Sequence, residues 1–134
     1  PMPTTSFEPL SREAESASLD DEDYEFTGKK LQAYMLHGVR YTVNTWKEML
    51  IQVCGHILIE KRSTIEWLCA NEKCSFSATP EEWRRELAPG MYVWTDNSTA
   101  TKINILHGMF EECNIPASEL VFEFRSDQEG EDEK

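Results

Sequence analysis

The fold is decided by one stretch near the middle of the chain, residues 45–58, which reads TWKEMLIQVCGHIL. Its start matches a capping box, because the Thr45 hydroxyl can accept from the Glu48 amide while the Glu48 carboxylate reaches back. The spacing predicts a helix over about 45–61 that forms the spine of the core. The apolar residues that recur on one face of this helix are Trp46, Met49, Leu50, Val53, Cys54, Ile57 and Leu58.

Strands are predicted on both sides of this helix, where apolar and polar residues alternate. Residues 30–43 indicate a β-hairpin that turns at His37-Gly38, since glycine adopts a positive φ without steric cost. The aromatic and β-branched run Met91–Thr95 predicts another strand. The alternation at residues 120–125 predicts the last one.

Further helices are predicted between these strands. A short helix follows the capping box at residues 63–66, another follows a third capping box and covers residues 79–87, and a longer one begins at Asp96–Thr99 and ends near Asn114. With a short strand at 74–77, the order is β-β-α-(α)-β-α-β-α-β. We therefore expect an α+β fold, a single small domain in which a mixed sheet of about four to five strands packs against two main helices.

The net charge of −12 over 134 residues is unevenly distributed. Residues 1–27 hold eight acidic residues against one basic residue, and residues 126–134 hold five against one. Residues 28–125 are nearly neutral, with 12 acidic and 11 basic residues. Because the two ends are acidic and offer little to pack, we expect acidic disordered tails at 1–27 and 126–134 around a folded domain at 28–125.

The sequence has no apolar run near the roughly 20 residues of a membrane span, and its first residues lack a secretory signal pattern. A cytoplasmic protein with four free, buried and reduced cysteines is therefore expected, without membrane contact. Cys54 and His56 lie two residues apart, about 200° around a helix, which is poor geometry for a nucleophile and its base. No motif typical of an enzyme is present, so we predict no catalytic residues and no cofactor.

A zinc site is an open alternative for the cysteines. Cys69 and Cys74 have a usable ligand spacing, and His107 or Cys113 could complete the set. A structural zinc site usually has two close ligand pairs, and the second pair is missing here. We therefore predict no metal.

A candidate anion site lies where the strand at 91–95 leads into the next helix. Unpaired N–H groups and the positive end of the helix dipole attract phosphate at such a position. The alternative is that these polar residues only cap the helix, since Asp96 repels anions. The residues predicted to bind are Asn97, Ser98, Thr99, Thr101 and Lys102.

Arg40, Arg84 and Arg85 are the other predicted ligand-binding residues. Together with Trp83, the last two could form a surface for base stacking and phosphate contact. The alternative is that Arg84 and Arg85 pair with the acids at 81–82 on their own helix.

Three short motifs resemble an accessory domain of unknown function found in bacterial restriction and phage-defence proteins. They are GVRYTVNTWKEML at 38–50, MYVWT at 91–95 and NSTATKI at 97–103. The helix start at 97–100 reads Asn-Ser-Thr-Ala, where the pattern of that domain has Ser-Ala-Asn. The resemblance covers about residues 28–125 and implies an attached, non-catalytic recognition role in a microbe.

These observations favour a non-catalytic recognition module that binds nucleic acid or a protein partner in a defence-related context. The alternative is an acidic inhibitor or nucleic-acid mimic that binds a basic protein through its tails. A cysteine- or metal-dependent enzyme is the third hypothesis.

Overall fold

A computed structural model describes residues 15–125 and confirms an α+β fold in a single small domain. Three α-helices and seven strands lie within those residues, and the strands form two antiparallel sheets. The helices are α1 Trp46–Glu60, α2 Arg62–Ala70 and α3 Thr99–Glu112, and a 3-10 turn covers Ala117–Glu119. The strands are β1 Glu15–Ser18, β2 Leu31–Leu36, β3 Val39–Thr42, β4 Phe76–Ser77, β5 Arg84–Ala88, β6 Met91–Trp94 and β7 Leu120–Phe124.

Helix α1 forms as its sequence predicts. The Thr45 hydroxyl accepts from the Glu48 amide at 3.0 Å, and the Glu48 carboxylate accepts from the Asn44 amide at 3.0 Å. The helix buries one continuous face, formed by Met49, Leu50, Val53, Cys54, Ile57 and Leu58. Trp46 lies at the edge of that face and donates its indole N–H to the Lys29 carbonyl at 3.0 Å.

The larger sheet has the strand order β1-β7-β2-β3, with every neighbouring pair antiparallel. The predicted hairpin is confirmed as β2 and β3, joined at His37 (φ 52°) and Gly38 (φ 83°), the two positive φ values of a tight hairpin turn. On β7 the alternate residues Leu120, Phe122 and Phe124 are buried. This sheet therefore turns one apolar face toward the helices.

The strands expected in one mixed sheet are divided between two sheets. The smaller sheet has the order β4-β6-β5, and its Phe76 and Val93 lie opposite each other and are buried. The two sheets share one apolar core with the helices. Sequence alternation gives the existence of a strand but not its neighbours, so the division could not be predicted.

The prediction of a disordered tail over residues 1–27 is wrong for residues 15–27. Strand β1 pairs with β7, Leu19 is fully buried and Phe26 is 8% exposed. The Phe26 ring meets the Phe122 ring at 5.4 Å between centroids, and the Tyr24 ring stacks on Phe124 at 5.5 Å. A few apolar residues within an acidic segment are sufficient to attach it. The parts of both predicted tails at 1–14 and 126–134 lie outside the described residues.

The predicted helix over residues 79–87 is also wrong, because residues 84–88 form strand β5. The hairpin between β5 and β6 turns at Pro89-Gly90, where Gly90 has φ 81°. Pairing with β6 provides hydrogen bonds along the strand and overrides the local helix signal of Thr79-Pro80. The capping box predicted at residues 63–66 is not used either, since α2 begins after Lys61 without a side-chain cap.

The attachment of residues 15–27, which we call the acidic segment, can be tested by truncating one of its buried side chains. We expect Leu19→Ala to lower the free energy of unfolding by about 2–4 kcal/mol, because it leaves a cavity in the core. Denaturation in urea measures this loss. Thr27→Ala, at an exposed position of the same segment, is the control and should change little. Equal stability of the Leu19 variant and the control would show that the segment is not part of the core.

His37 joins three elements of the fold at the turn between β2 and β3. Its Nδ1 lies 2.9 Å from a Glu119 oxygen and its Nε2 lies 3.0 Å from a Glu60 oxygen. Both carboxylates favour the charged imidazole, so the pKa of His37 is raised, with the Glu119 hydrogen bond contributing most. The resulting stabilisation is complete below the unfolded-state pKa of about 6.5 and is lost as the pH rises through the higher folded-state pKa.

We expect His37→Asn to remove this pH-dependent stabilisation while tolerating the positive φ, which asparagine adopts more readily than most residues. The free energy of unfolding in urea should differ between wild type and variant more at about pH 5.5 than at about pH 8.5. The matched control is His107→Asn, since His107 has no ion pair within residues 15–125. The same difference at both pH values would contradict the assignment.

Candidate recognition surface

The polar residues before α3 are brought together, but their hydrogen-bonding groups are used to close the helix. Ser98 is the N-cap, and its hydroxyl accepts from the Thr101 amide at 3.1 Å and contacts the Thr101 hydroxyl at 3.0 Å. Lys102 is only 5% exposed and donates to the Asn97 carbonyl at 2.6 Å. Burial lowers the pKa of this lysine. Thr99 is the first residue of α3 and is half-buried.

The approach to this helix start carries a negative charge. Asp96 lies immediately before it and accepts from the Lys47 ammonium at 3.0 Å. The Asn97 amide donates to the Trp94 carbonyl at 3.0 Å, and its side-chain oxygen is buried without a partner in the described part of the chain. Capping, the alternative to anion binding, accounts for the positions of Asn97, Ser98, Thr101 and Lys102. Anion binding at the predicted residues stays a prediction.

Lys102 is therefore expected to matter for stability whether or not it binds a ligand. Lys102→Ala should lower the free energy of unfolding by about 1–3 kcal/mol, because it removes a buried hydrogen bond and the packing of the side-chain stem. Urea denaturation measures the change. The control is Lys30→Ala, at an exposed lysine, which should alter stability by less than about 0.5 kcal/mol. A Lys102 variant as stable as this control would contradict the structural role.

Arg40 is not brought together with the other predicted arginines. It lies on β3 of the larger sheet and binds both carboxylate oxygens of Glu123, through Nε at 2.9 Å and Nη2 at 2.9 Å. This hydrogen bonding raises the pKa of Arg40 and lowers that of Glu123. Arg84 and Arg85 lie on β5 of the smaller sheet.

Arg84 and Arg85 line different grooves, although they are neighbours in sequence. Successive residues of a strand point to opposite faces, and Arg84 lies opposite Trp94 whereas Arg85 lies opposite the buried Val93. Arg85 consequently lines a groove of about 390 Å³ between β5 and α1. The other residues of that groove are Thr45, Lys47, Glu48, Ile51 and Gln52.

Arg84 lines a second groove, which exposes two aromatic rings. We call it the tryptophan groove; its volume is about 270 Å³ and its residues are Glu72, Ser75, Phe76, Trp83, Arg84 and Trp94. Trp83 is 45% exposed and Trp94 is 36% exposed, whereas Phe76 is buried. Arg84 donates from Nη1 to the Thr79 carbonyl at 2.8 Å, which fixes its direction.

The backbone around the tryptophan groove is held by hydrogen bonds. The Trp94 amide donates to the Ser75 carbonyl at 3.0 Å, and the Thr95 amide donates to the Trp83 carbonyl at 3.4 Å. By contrast, the indole N–H groups of Trp83 and Trp94 have no acceptor within residues 15–125. The same holds for the indole N–H of the exposed Trp67, so a free indole donor is not particular to this groove.

Sequence reasoning found Trp83 and Arg84 but missed Glu72, Ser75 and Trp94. Trp94 could have been found, because Met91 and Val93 alternate with Tyr92 and Trp94 along one strand. If the first pair faces the core, the second pair faces outward, and the structure has Trp94 exposed. Glu72 and Ser75 come from the turn between α2 and β4, and no pattern indicates that this turn meets β5 and β6.

The cysteines do not form a reactive or metal-binding cluster. Cys54, Cys69 and Cys113 are buried and Cys74 is half-buried, and all four are free. Burial raises the pKa of each thiol, that of Cys113 to about 11, which disfavours the nucleophilic thiolate. Within residues 15–125, no group of three or more His, Cys, Asp or Glu side chains is placed to hold a metal ion.

Comparisons of the chain with protein-family models, with curated proteins and with solved structures found no match. In the described residues, no helix has the length and apolar character needed to cross a bilayer.

Proposed function

We propose that this chain is a non-catalytic recognition module that binds a protein partner through the tryptophan groove. The observation that carries the proposal is that Trp83 and Trp94, both substantially exposed, line one groove together with Arg84. Tryptophan and arginine are the residues most enriched at the energetic centres of protein interfaces. Both side chains extend from hydrogen-bonded backbone, so the backbone loses little conformational entropy on binding.

The charges around the groove favour a protein over a nucleic acid. Glu72 lines the groove, and Glu81, Glu82 and Glu86 are exposed on the segment that carries Arg84. Residues 15–125 as a whole hold 18 acidic and 11 basic residues. Nucleic-acid affinity depends on an excess of cations facing the phosphates, which is absent here. A protein partner needs no such excess.

The burial of three of the four thiols, which disfavours a nucleophilic thiolate, supports a non-catalytic role. The free cysteines also support a cytoplasmic location, because disulfides are rare in reducing compartments. The association with microbial defence rests on the sequence resemblance alone and stays a prediction.

A second candidate function is binding of a basic protein through the acidic segment. Residues 20–23 and Glu25 are exposed acids, and Leu19 and Phe26 hold their segment against the core. These charges therefore have fixed positions on the folded body rather than moving in a tail. Three of these acids, Asp21, Glu22 and Glu25, line a groove of about 240 Å³ that includes Ile103 and His107 of α3.

A selection of random dodecapeptides displayed on phage tests the proposal directly. Peptides selected on wild type should bind Trp83→Ala and Trp94→Ala at least about tenfold more weakly, because each change removes a central anchor. The matched control is Trp67→Ala, since Trp67 is 46% exposed on α2 and lies outside the groove. Thermal unfolding of each variant confirms that it is folded.

The other candidate functions give different results in the same experiment. Selected peptides that keep their affinity for both groove variants but lose it when residues 20–23 are changed to Asn and Gln would support the acidic segment instead. Salt-sensitive binding of single-stranded oligothymidylate, with no peptide selected, would support nucleic-acid recognition. Either outcome contradicts the proposal.

A further inference from the structure

We infer that residues 126–134, which we call the acidic extension, bind back onto the folded body in the groove between β5 and α1. We call this groove the α1 groove; its volume is about 390 Å³, and it is lined by Thr45, Lys47, Glu48, Ile51, Gln52 and Arg85. The contact is independent of the proposed function, because the tryptophan groove is a separate surface. The position where β7 ends, the charges near that position and the charge of the extension all favour it.

Strand β7 ends beside the α1 groove. The Arg125 amide donates to the Lys30 carbonyl at 2.7 Å, and the Arg125 Nη2 donates to the Asn44 Oδ1 at 3.3 Å. Asn44 immediately precedes Thr45, which caps α1 and is the first residue of the groove lining. From Thr45 to Gln52 the lining covers about 10 Å of helix, at about 1.5 Å per residue. The nine residues after Arg125 span up to about 30 Å when extended, so they can lie along the whole groove.

The basic side chains at this end of the molecule are largely without acidic partners. Lys30, Arg85 and Arg125 are exposed and form no ion pair within residues 15–125. Lys47 is paired with Asp96 at 3.0 Å, but both side chains are exposed, so the Lys47 ammonium can accept a second carboxylate. An anionic segment that begins at Arg125 therefore meets several cations before it leaves the groove.

Positive charge exceeds negative charge around the α1 groove, in contrast to the rest of the described chain. Glu48 is the one acid in the lining, and its carboxylate accepts from the Asn44 amide at 3.0 Å. The first turn of a helix also carries a partial positive charge, which Glu48 offsets in part. With Asp96 included, two acids face the four basic residues at this end. Residues 15–125 as a whole have the opposite balance, with 18 acidic and 11 basic residues.

The acidic extension has the complementary charge and little other means of binding. It contains five acids, one base and no apolar side chain; the acids are Asp127, Glu129, Glu131, Asp132 and Glu133. A segment of this composition cannot form a core of its own, but it can be ordered by a charged surface. Exposed ion pairs are individually weak. Because the extension is joined to the body, however, its effective concentration at the groove is on the order of millimolar, and weak contacts are sufficient.

The other segments of the chain fit the α1 groove less well. Residues 1–14 enter β1 at the same end of the sheet, since Glu15 lies opposite Phe124, but they contain only two acids against one base. The acidic segment is held elsewhere by the burial of Leu19 and Phe26. The acidic extension is therefore the occupant that both its starting position and its charge favour.

Neutralising the acidic extension in the full chain tests the inference. Replacing its five acids by Asn and Gln should shift the Arg85 Nε–H signal and the Lys47 and Ile51 amide signals in 15N-resolved NMR spectra, because the carboxylates leave the groove. The matched control replaces the five acids at positions 20–23 and 25 in the same way. It changes the net charge equally at a different place and should leave these signals unchanged. For wild type, about 1 M salt should reproduce the shifts of the neutralised variant, since the Debye length falls to about 3 Å.

Arg85→Gln tests the same contact from the side of the groove. It should shift the amide signals of residues 126–134, because it removes a cation that they contact. Arg84→Gln is the matched control, since it removes the same charge from the neighbouring residue, which lines the tryptophan groove instead. That control should leave the signals of the extension in place. Circular dichroism confirms that each variant is folded, and if Arg85→Gln does not fold, the neutralised extension decides.

Three results would overturn the inference. The first is an α1 groove whose signals stay in place when the extension is neutralised. The second is an equal shift from the control at positions 20–23 and 25, since the signals would then report only the net charge of the chain. The third is an equal response of the extension to Arg84→Gln and Arg85→Gln, which would mean that it has no particular contact with the α1 groove.

Discussion

Strand β7 holds the larger sheet together, because it lies between β1 and β2 although it comes last in the described chain. Its side chains Leu120, Phe122 and Phe124 are fully buried. The Phe122 ring meets Trp46 at 5.3 Å and Phe26 at 5.4 Å between centroids, so it joins α1 to the segment that follows β1. Each aromatic side chain buries about 150–250 Å². The core therefore closes only when segments from both ends of the described chain meet.

The smaller sheet depends on the same core and supports the candidate surface. Phe76 and Val93 lie opposite each other across β4 and β6, and both are buried in the common cluster. Because residues alternate along a strand, burying Val93 turns its neighbour Trp94 outward. Trp94 lies opposite Arg84 on β5, which brings the arginine into the same groove. The exposed aromatic surface is thus a geometric consequence of an interior contact.

Features set by neighbouring residues could be predicted from the sequence, and features set by distant ones could not. The cap at Thr45 and the turn at His37 depend on a few adjacent residues and form as predicted, although the equally local capping box at residues 63–66 is not used. Strand β1 and strand β5 form only because distant strands offer hydrogen-bonding partners, so local composition suggested a tail and a helix instead. The candidate surface shows the same limit, since Trp83 could be identified but Glu72 could not.

In the proposed function, the acidity of the chain and the tryptophan groove would act on different stages of association. Charge attracts or repels a partner over about one Debye length, roughly 8 Å at physiological salt, and so acts mainly on the rate of encounter. Contacts with buried or half-buried aromatic rings act mainly on the lifetime of the complex. A net charge of −12 would therefore speed the encounter with a basic surface. It cannot discriminate among them, since exposed charges are screened and lack directional geometry. Discrimination requires shaped surfaces with directional contacts, a role that the proposed function gives to Trp83 and Trp94.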